Sequence, residues 1–118
     1  MLSPSLREKR HYLALELYSK GKLSVQEARE ALERAISGFL GASEAAKAGM
    51  QIIELIKVKE AENHKDLAAR GILSINRKYA LKVRAALVLL KEIEGKQVMA
   101  RVRGVSGTLR KLREKFLD

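Results

Sequence analysis

A chain of 118 residues, 47% of them hydrophobic, has the length of one domain and enough apolar side chain for one core, which argues against disorder. Its 24 Lys and Arg against 14 Asp and Glu leave a net charge of +10, a balance that draws a small domain to a polyanion, either nucleic acid or an anionic membrane. The lack of cysteine excludes disulfides and thiolate metal sites, and no stretch approaches the roughly 20 apolar residues of a membrane span.

The start, MLSPSLREKRHY, has no apolar run of signal-peptide length, so a cytoplasmic protein is expected. The only proline, Pro4, falls in this stretch, which reads as an extended arm over residues 1–9 of a single domain spanning 1–118. Residues 12–18, YLALELY, alternate: Leu13, Leu15 and Leu17 point one way, and Tyr12, Ala14, Glu16 and Tyr18 the other. That is a strand with one dry face, and SKGK then turns the chain. Ser24 and Glu27 form an S-x-x-E capping box. Val25, Ala28, Leu32, Ala35, Ile36 and Phe39 follow at helical spacing, and Gly41 is placed to end that helix in a left-handed conformation.

GMQIIELIKV (49–58) reads as a second strand, KEAENHKDLA as a long polar hairpin tip, and RGILSIN (70–76) as a third strand. Asn76 is positioned to cap a helix from Arg77 to about Glu94, closed by Gly95, with Tyr79, Val83, Ala86, Leu90 and Ile93 as its apolar stripe, widened by Ala80 and Leu87. KQVMARVRG alternates again, and a last helix sets Leu109, Leu112 and Phe116 on one side with Arg110, Lys111, Arg113 and Lys115 around the rest. The order βαββαβ plus a C-terminal helix predicts an α+β, ferredoxin-like domain: a four-stranded antiparallel sheet with two helices on one face.

The charge is segregated along this order. Residues 1–23 hold five basic and two acidic side chains, residues 24–69 six and eight, and residues 70–118 thirteen and four. Charge needed only for solubility has no reason to gather at the two ends of a chain, whereas a binding face does.

No catalytic pattern is present. Glu60, Glu62, His64 and Asp66 alternate in the hairpin tip, but no second cluster supports them, and a solvated loop explains them better than a metal site. There is no P-loop, G-x-S-x-G or H-E-x-x-H motif. Base stacking on the sheet is also poorly supplied. Arg70-Gly71 matches the opening of the third strand of an RNA recognition motif, but Ile72, Ser74 and Arg77 stand where its rings belong. Only Tyr12 and Tyr18 offer rings, and each missing stack forfeits about 1–3 kcal/mol per base.

Backbone binding remains. Arg101 and Arg103 project from one face of the fourth strand, and Arg77 and Lys78 open the second helix. Arg7, Lys9 and Arg10 lead into the first strand. In GVSGTLRKLREKF (104–116) the amides of Ser106, Gly107 and Thr108 precede a helix N-terminus, where an anion is favoured, and Arg110, Lys111 and Arg113 add positive charge. A phosphate contact fits the whole constellation; for Ser106 alone a plain helix cap suffices. Ile72 and Met99 lie on the sheet face away from the two helices, either covered by the terminal helix or open to a partner.

These residues resemble a known family. GVSGTLRKLREKFLD after QVMARVR, preceded by GILSINRKYALKVRAALVLLKEI, with LREKRHYLALEL and GASEA (41–45) earlier, is similar to the archaeal ribonuclease P protein component 2 family over nearly the whole chain. The resemblance implies a noncatalytic subunit of an RNA enzyme that removes the 5′ leader from precursor tRNA. The RNA subunit and its magnesium ions carry out the hydrolysis, and the protein binds no cofactor of its own. It also implies pairing with ribonuclease P protein component 3, in pairs that assemble as a heterotetramer. Two rivals stay open on the residues themselves: another structural RNA binder of ribosomal type, and a ferredoxin-like regulatory domain that dimerises through its sheet.

Overall fold

The computed structural model describes residues 9–58 and 66–116. All of the expected N-terminal arm except Lys9, together with Glu60, Glu62 and His64, lies outside them. The described elements run β1 (Arg10–Ser19), α1 (Val25–Leu40), α2 (Ala42–Ala48), β2 (Gln51–Lys57) and β3 (Leu67–Asn76). After a single 3₁₀ turn at 77–79 come α3 (Ala80–Val88), β4 (Glu92–Ile93), β5 (Lys96–Ser106) and α4 (Leu109–Phe116).

The strands form one antiparallel sheet in the order β2-β3-β1-β5-β4. The first four follow the expected ferredoxin-like order, and β4 adds a two-residue edge. Strand β1 lies at the centre, paired to β3 on one side and β5 on the other, so its leucines are sealed in. Leu13, Leu15 and Leu17 are buried with Leu73 and Ile75 of β3, Leu32 and Ile36 of α1, and Val83 and Leu87 of α3. The alternation in YLALELY therefore separates a dry inner face, covered by α1 and α3, from an outer face that bears Tyr12, Ala14, Glu16 and Tyr18.

The capping box is present in full. Ser24 Oγ accepts from the Glu27 amide at 3.0 Å, and the Glu27 carboxylate accepts from the Ser24 amide at 3.0 Å. That amide is the main cause holding the Glu27 carboxyl below its ordinary 4.5, with burial opposing and Lys96 assisting. Because the charged form is favoured in the folded chain, this stabilisation is fully present above pH 4.5 and is lost as the pH falls through the depressed value. Urea titrations should show Ser24→Ala destabilised by about 1 kcal/mol at neutral pH. Wild type and Glu27→Gln should differ at neutral pH and converge on acidification.

Three local readings of the sequence need correction. Gly41 does end α1 with a positive φ of 85°, but its ψ of 158° is extended, outside the left-handed helical well. It leads at once into α2, an Ala-rich helix of about two turns that closes on Gly49, and this helix was not expected. Helix α3 also stops near Val88, well short of Glu94. Leu90 and Ile93 keep helical spacing by coincidence, because Glu94 and Gly95 both take positive φ (51° and 78°) and form a two-residue hairpin turn between β4 and β5. Ile93 still enters the core, but from a strand. The sheet consequently has five strands and not four.

Candidate nucleic-acid interface

Helix α4 docks on the outer face of the sheet, opposite α1 and α3. Its Leu112 is fully buried against Ala14 of β1 and Ile72 of β3, with Tyr12, Leu109 and Phe116 around them. Gly104, opposite Ala14 in the register, makes room for the Phe116 ring: a Cβ there would stand 2.2 Å from its Cζ. Ile72 is thus covered by the terminal helix, whereas Met99, further along the sheet, is 55% exposed. Tyr12, one of the two rings offered by β1, packs beneath α4 and is withdrawn from stacking on bases.

The polar lead-in to α4 closes partly on itself. Thr108 caps the helix by accepting from the Lys111 amide at 3.2 Å, and Ser106 Oγ accepts from the Thr108 amide at 3.2 Å. Of the amides expected to face an anion, that of Thr108 is therefore engaged by a neighbouring hydroxyl. Gly107 is exposed beside it.

The antiparallel register decides which cations meet. Tyr12 pairs with Ser106, and Arg10 pairs with Asn76, so the start of β1 and the ends of β3 and β5 share one end of the sheet. The Arg77 amide donates to the Lys9 carbonyl at 2.8 Å, and the Lys78 amide to Asn76 Oδ1 at 3.0 Å. Lys9, Arg77 and Lys78 are all exposed at that end, together with Gly107 and the start of α4. Arg10 is different: its guanidinium donates to Ser74 Oγ at 2.9 Å and to the Gly49 carbonyl, clamping β1 to β3 and α2. Arg7 lies outside the described residues.

Along the outer face, α4 presents Arg110, Lys111 and Arg113. Arg110 Nε lies 3.1 Å from Glu114, but both side chains are so exposed (89% and 62%) that the pair contributes little to stability. Arg113 bridges to Glu54 of β2 at 3.2 Å. Beside α4, β5 supplies Arg101 and Arg103. A register shift between Ala14 and Leu15 of β1 places Arg103 at a bulge, from which it reaches the buried carboxylate of Glu16 at 3.7 Å.

Glu16 and Tyr18 are part of this surface, although the sequence singled out Tyr18 only as a stacking ring and Glu16 not at all. The Tyr18 hydroxyl donates to Glu16 at 2.9 Å. Burial and then the Glu16 carboxylate push the Tyr18 hydroxyl above its ordinary 10.0, with Arg101 opposing. Across the strand from Glu16 stands Arg70, whose Nε is buried with no hydrogen-bond partner among the described residues. The signal was available in YLALELY, which sends Glu16 and Tyr18 to the same face as the arginines of β5. The open half of the sheet is thus a framed basic surface: Arg101 and Arg103 fixed around an inner carboxylate, bordered by a helix with an exposed cationic side. The chemistry of such a surface suits a phosphate backbone better than stacked bases.

The described residues hold no group of three or more His, Cys, Asp or Glu arranged for a metal ion, and Asp66 is paired to Lys20 at 2.9 Å. No described helix is long and apolar enough to cross a membrane.

The sequence profile of the Rpp14/Pop5 family matches residues 11–117. The chain belongs to the Rpp14/Pop5 family. Ribonuclease P protein component 2 of Pyrococcus horikoshii is 34% identical over 116 residues, covering 98% of this chain and 89% of that protein. Its counterpart in Methanosarcina mazei is 33% identical over 117 residues, covering 99% and 91%. A chain in the cryo-EM structure of yeast ribonuclease MRP superposes with a TM-score of 0.59 at 13% identity, over 88% of this chain and 78% of that one, which shows a shared fold. In this Rpp14/Pop5 chain the matched span contains every described site residue except Lys9 and Arg10, so the outer face and α4 belong to the family's common body.

Proposed function

We propose that this chain is a noncatalytic, RNA-binding subunit of ribonuclease P that supports the catalytic RNA in removing the 5′ leader from precursor tRNA. The observation that carries the reading is the placement of α4. It covers the apolar half of the outer sheet, where a base-reading domain would stack its ligand, and sets Arg110, Lys111 and Arg113 beside Arg101 and Arg103. Membership of the Rpp14/Pop5 family supports it further. Neutralising phosphates lets folded RNA helices approach one another and retain the magnesium ions that perform the hydrolysis. Within the same reading, protein component 3 is the protein partner, and the pairs assemble as a heterotetramer.

The test is precursor tRNA cleavage by the cognate RNA at limiting magnesium, with protein component 3 present. Adding the wild-type chain should raise the rate, and Arg110/Lys111/Arg113→Ala should lose that gain by about 10-fold at low salt, with a flatter salt dependence so that the gap to wild type narrows as salt is raised. A wild-type chain that leaves cleavage unchanged overturns the reading. A triple variant as active as wild type removes α4 from the interface.

A further inference from the structure

Helix α3 is apolar on two opposite faces. Ala80, Val83, Ala86 and Leu87 are buried against α1 and the sheet. On the other side Leu81, Val88 and Leu89 are 79%, 70% and 61% exposed, with Ala85 exposed among them. Positions 81, 85, 88 and 89 fall on one stripe of a helix, about 100° wide. The other exposed large hydrophobics, Phe39, Ile53, Ile56 and Met99, are distributed over α1, β2 and β5. Among the described residues they gather only on α3, and a contiguous exposed apolar patch of this kind is ordinarily covered.

The helix's own rim is positive. Lys82 and Arg84 flank the stripe and Lys91 follows its end, residues 77–91 include no Asp or Glu, and the acidic group beside Lys82 is Glu44 of α2, which is engaged by Tyr79. The base is held in place: the Tyr79 hydroxyl donates to Glu44 of α2, and Lys82 Nζ lies 5.8 Å over the Tyr79 ring. An RNA would satisfy the cations but leave three large aliphatic side chains in water. A second copy meeting this face through a two-fold axis would set Lys82 and Arg84 against their own counterparts. A different protein with acidic side chains around an apolar centre satisfies both parts of the surface.

We propose that the outer face of α3 docks a different protein chain, one whose contact patch is apolar at the centre and acidic at the rim. The proposal rests on the reading of this chain as a subunit that works with a protein partner, and it puts that partner on the sheet's far side from α4, leaving the outer face to RNA.

The test uses Leu81→Ser/Leu89→Ser, which alters exposed side chains and no charge, with purified protein component 3 of the same organism as the probe in calorimetry. The variant should melt like wild type, bind the probe on the order of 100-fold more weakly, and keep its affinity for ribonuclease P RNA. Equal binding of wild type and variant to the probe overturns the proposal, and so does a wild-type chain that does not bind it. Loss of RNA affinity in the variant overturns it in favour of an RNA contact. A change from dimer to monomer for the chain alone, read by sedimentation, overturns it in favour of a second copy. If the wild-type chain fails to bind RNA while the stripe still governs the probe, the RNA-binding function fails and the docking face stands.

Discussion

Gly71→Ala is expected to destabilise the fold by about 3 kcal/mol. A Cβ at this position would stand 2.4 Å from the backbone carbonyl oxygen of Glu54 and 3.0 Å from Leu55 Cδ1. The first of these contacts is backbone and cannot swing aside. The close approach lies beside the β2–β3 register shift between Ile52 and Glu54, where Leu55 pairs with Gly71. Relief requires β2 to move away, and β2 brings Leu55 into the core and Glu54 to its bridge with Arg113. Chemical denaturation monitored by circular dichroism checks the value. A variant within 0.5 kcal/mol of wild type, an estimate of the surface-substitution range, shows that the strands have slack here.

Leu112→Ala has the second large effect, and it is local. Removing a fully buried leucine costs about 3 kcal/mol, and α4 has only eight residues, too few to persist as an isolated helix. The helix should leave the sheet while β1, α1, β3 and α3 hold, so hydrogen exchange should quicken at 109–116 and stay slow at 13–17. The net charge is unchanged. If the proposed RNA contact depends on where Arg110, Lys111 and Arg113 are held, affinity for ribonuclease P RNA should fall about 10-fold and its salt dependence should flatten. Unchanged affinity with a detached helix means that the cations act as a diffuse cloud and that their placement on the sheet has no part in binding.

What the sequence disclosed follows from the range of each signal. Alternation in YLALELY and the Ser24–Glu27 box are local, and both are built as read. The end of α3 was misread because Leu90 and Ile93 satisfy a helical period. Gly95 needs a positive φ in a helix stop and in a hairpin turn alike, and only Glu94, also at positive φ, separates the two. Helix α2 lacks a periodic apolar face, having a single buried residue, Ala48, so periodicity could not find it. At the candidate site, charge and topology collected the cations of α4 and β5. They did not reveal that Arg10 is engaged by Ser74 and Gly49, since that contact joins residues 64 and 39 positions apart. Nor does alternation say what lies above a sheet: Ile72 and Met99 share a face, and only the docking of α4 distinguishes them.

The helix that shields Ile72 also carries the cations proposed to hold RNA, so ligand binding and the closure of this segment are thermodynamically linked. Whatever clasps Arg110, Lys111 and Arg113 in their docked positions favours the closed form by mass action, and whatever loosens Leu112 from its seat taxes the affinity by the same factor. On the proposed reading, the seat of Leu112 holds the cations in place for the polyanion, and the bound polyanion in turn holds α4 on the sheet.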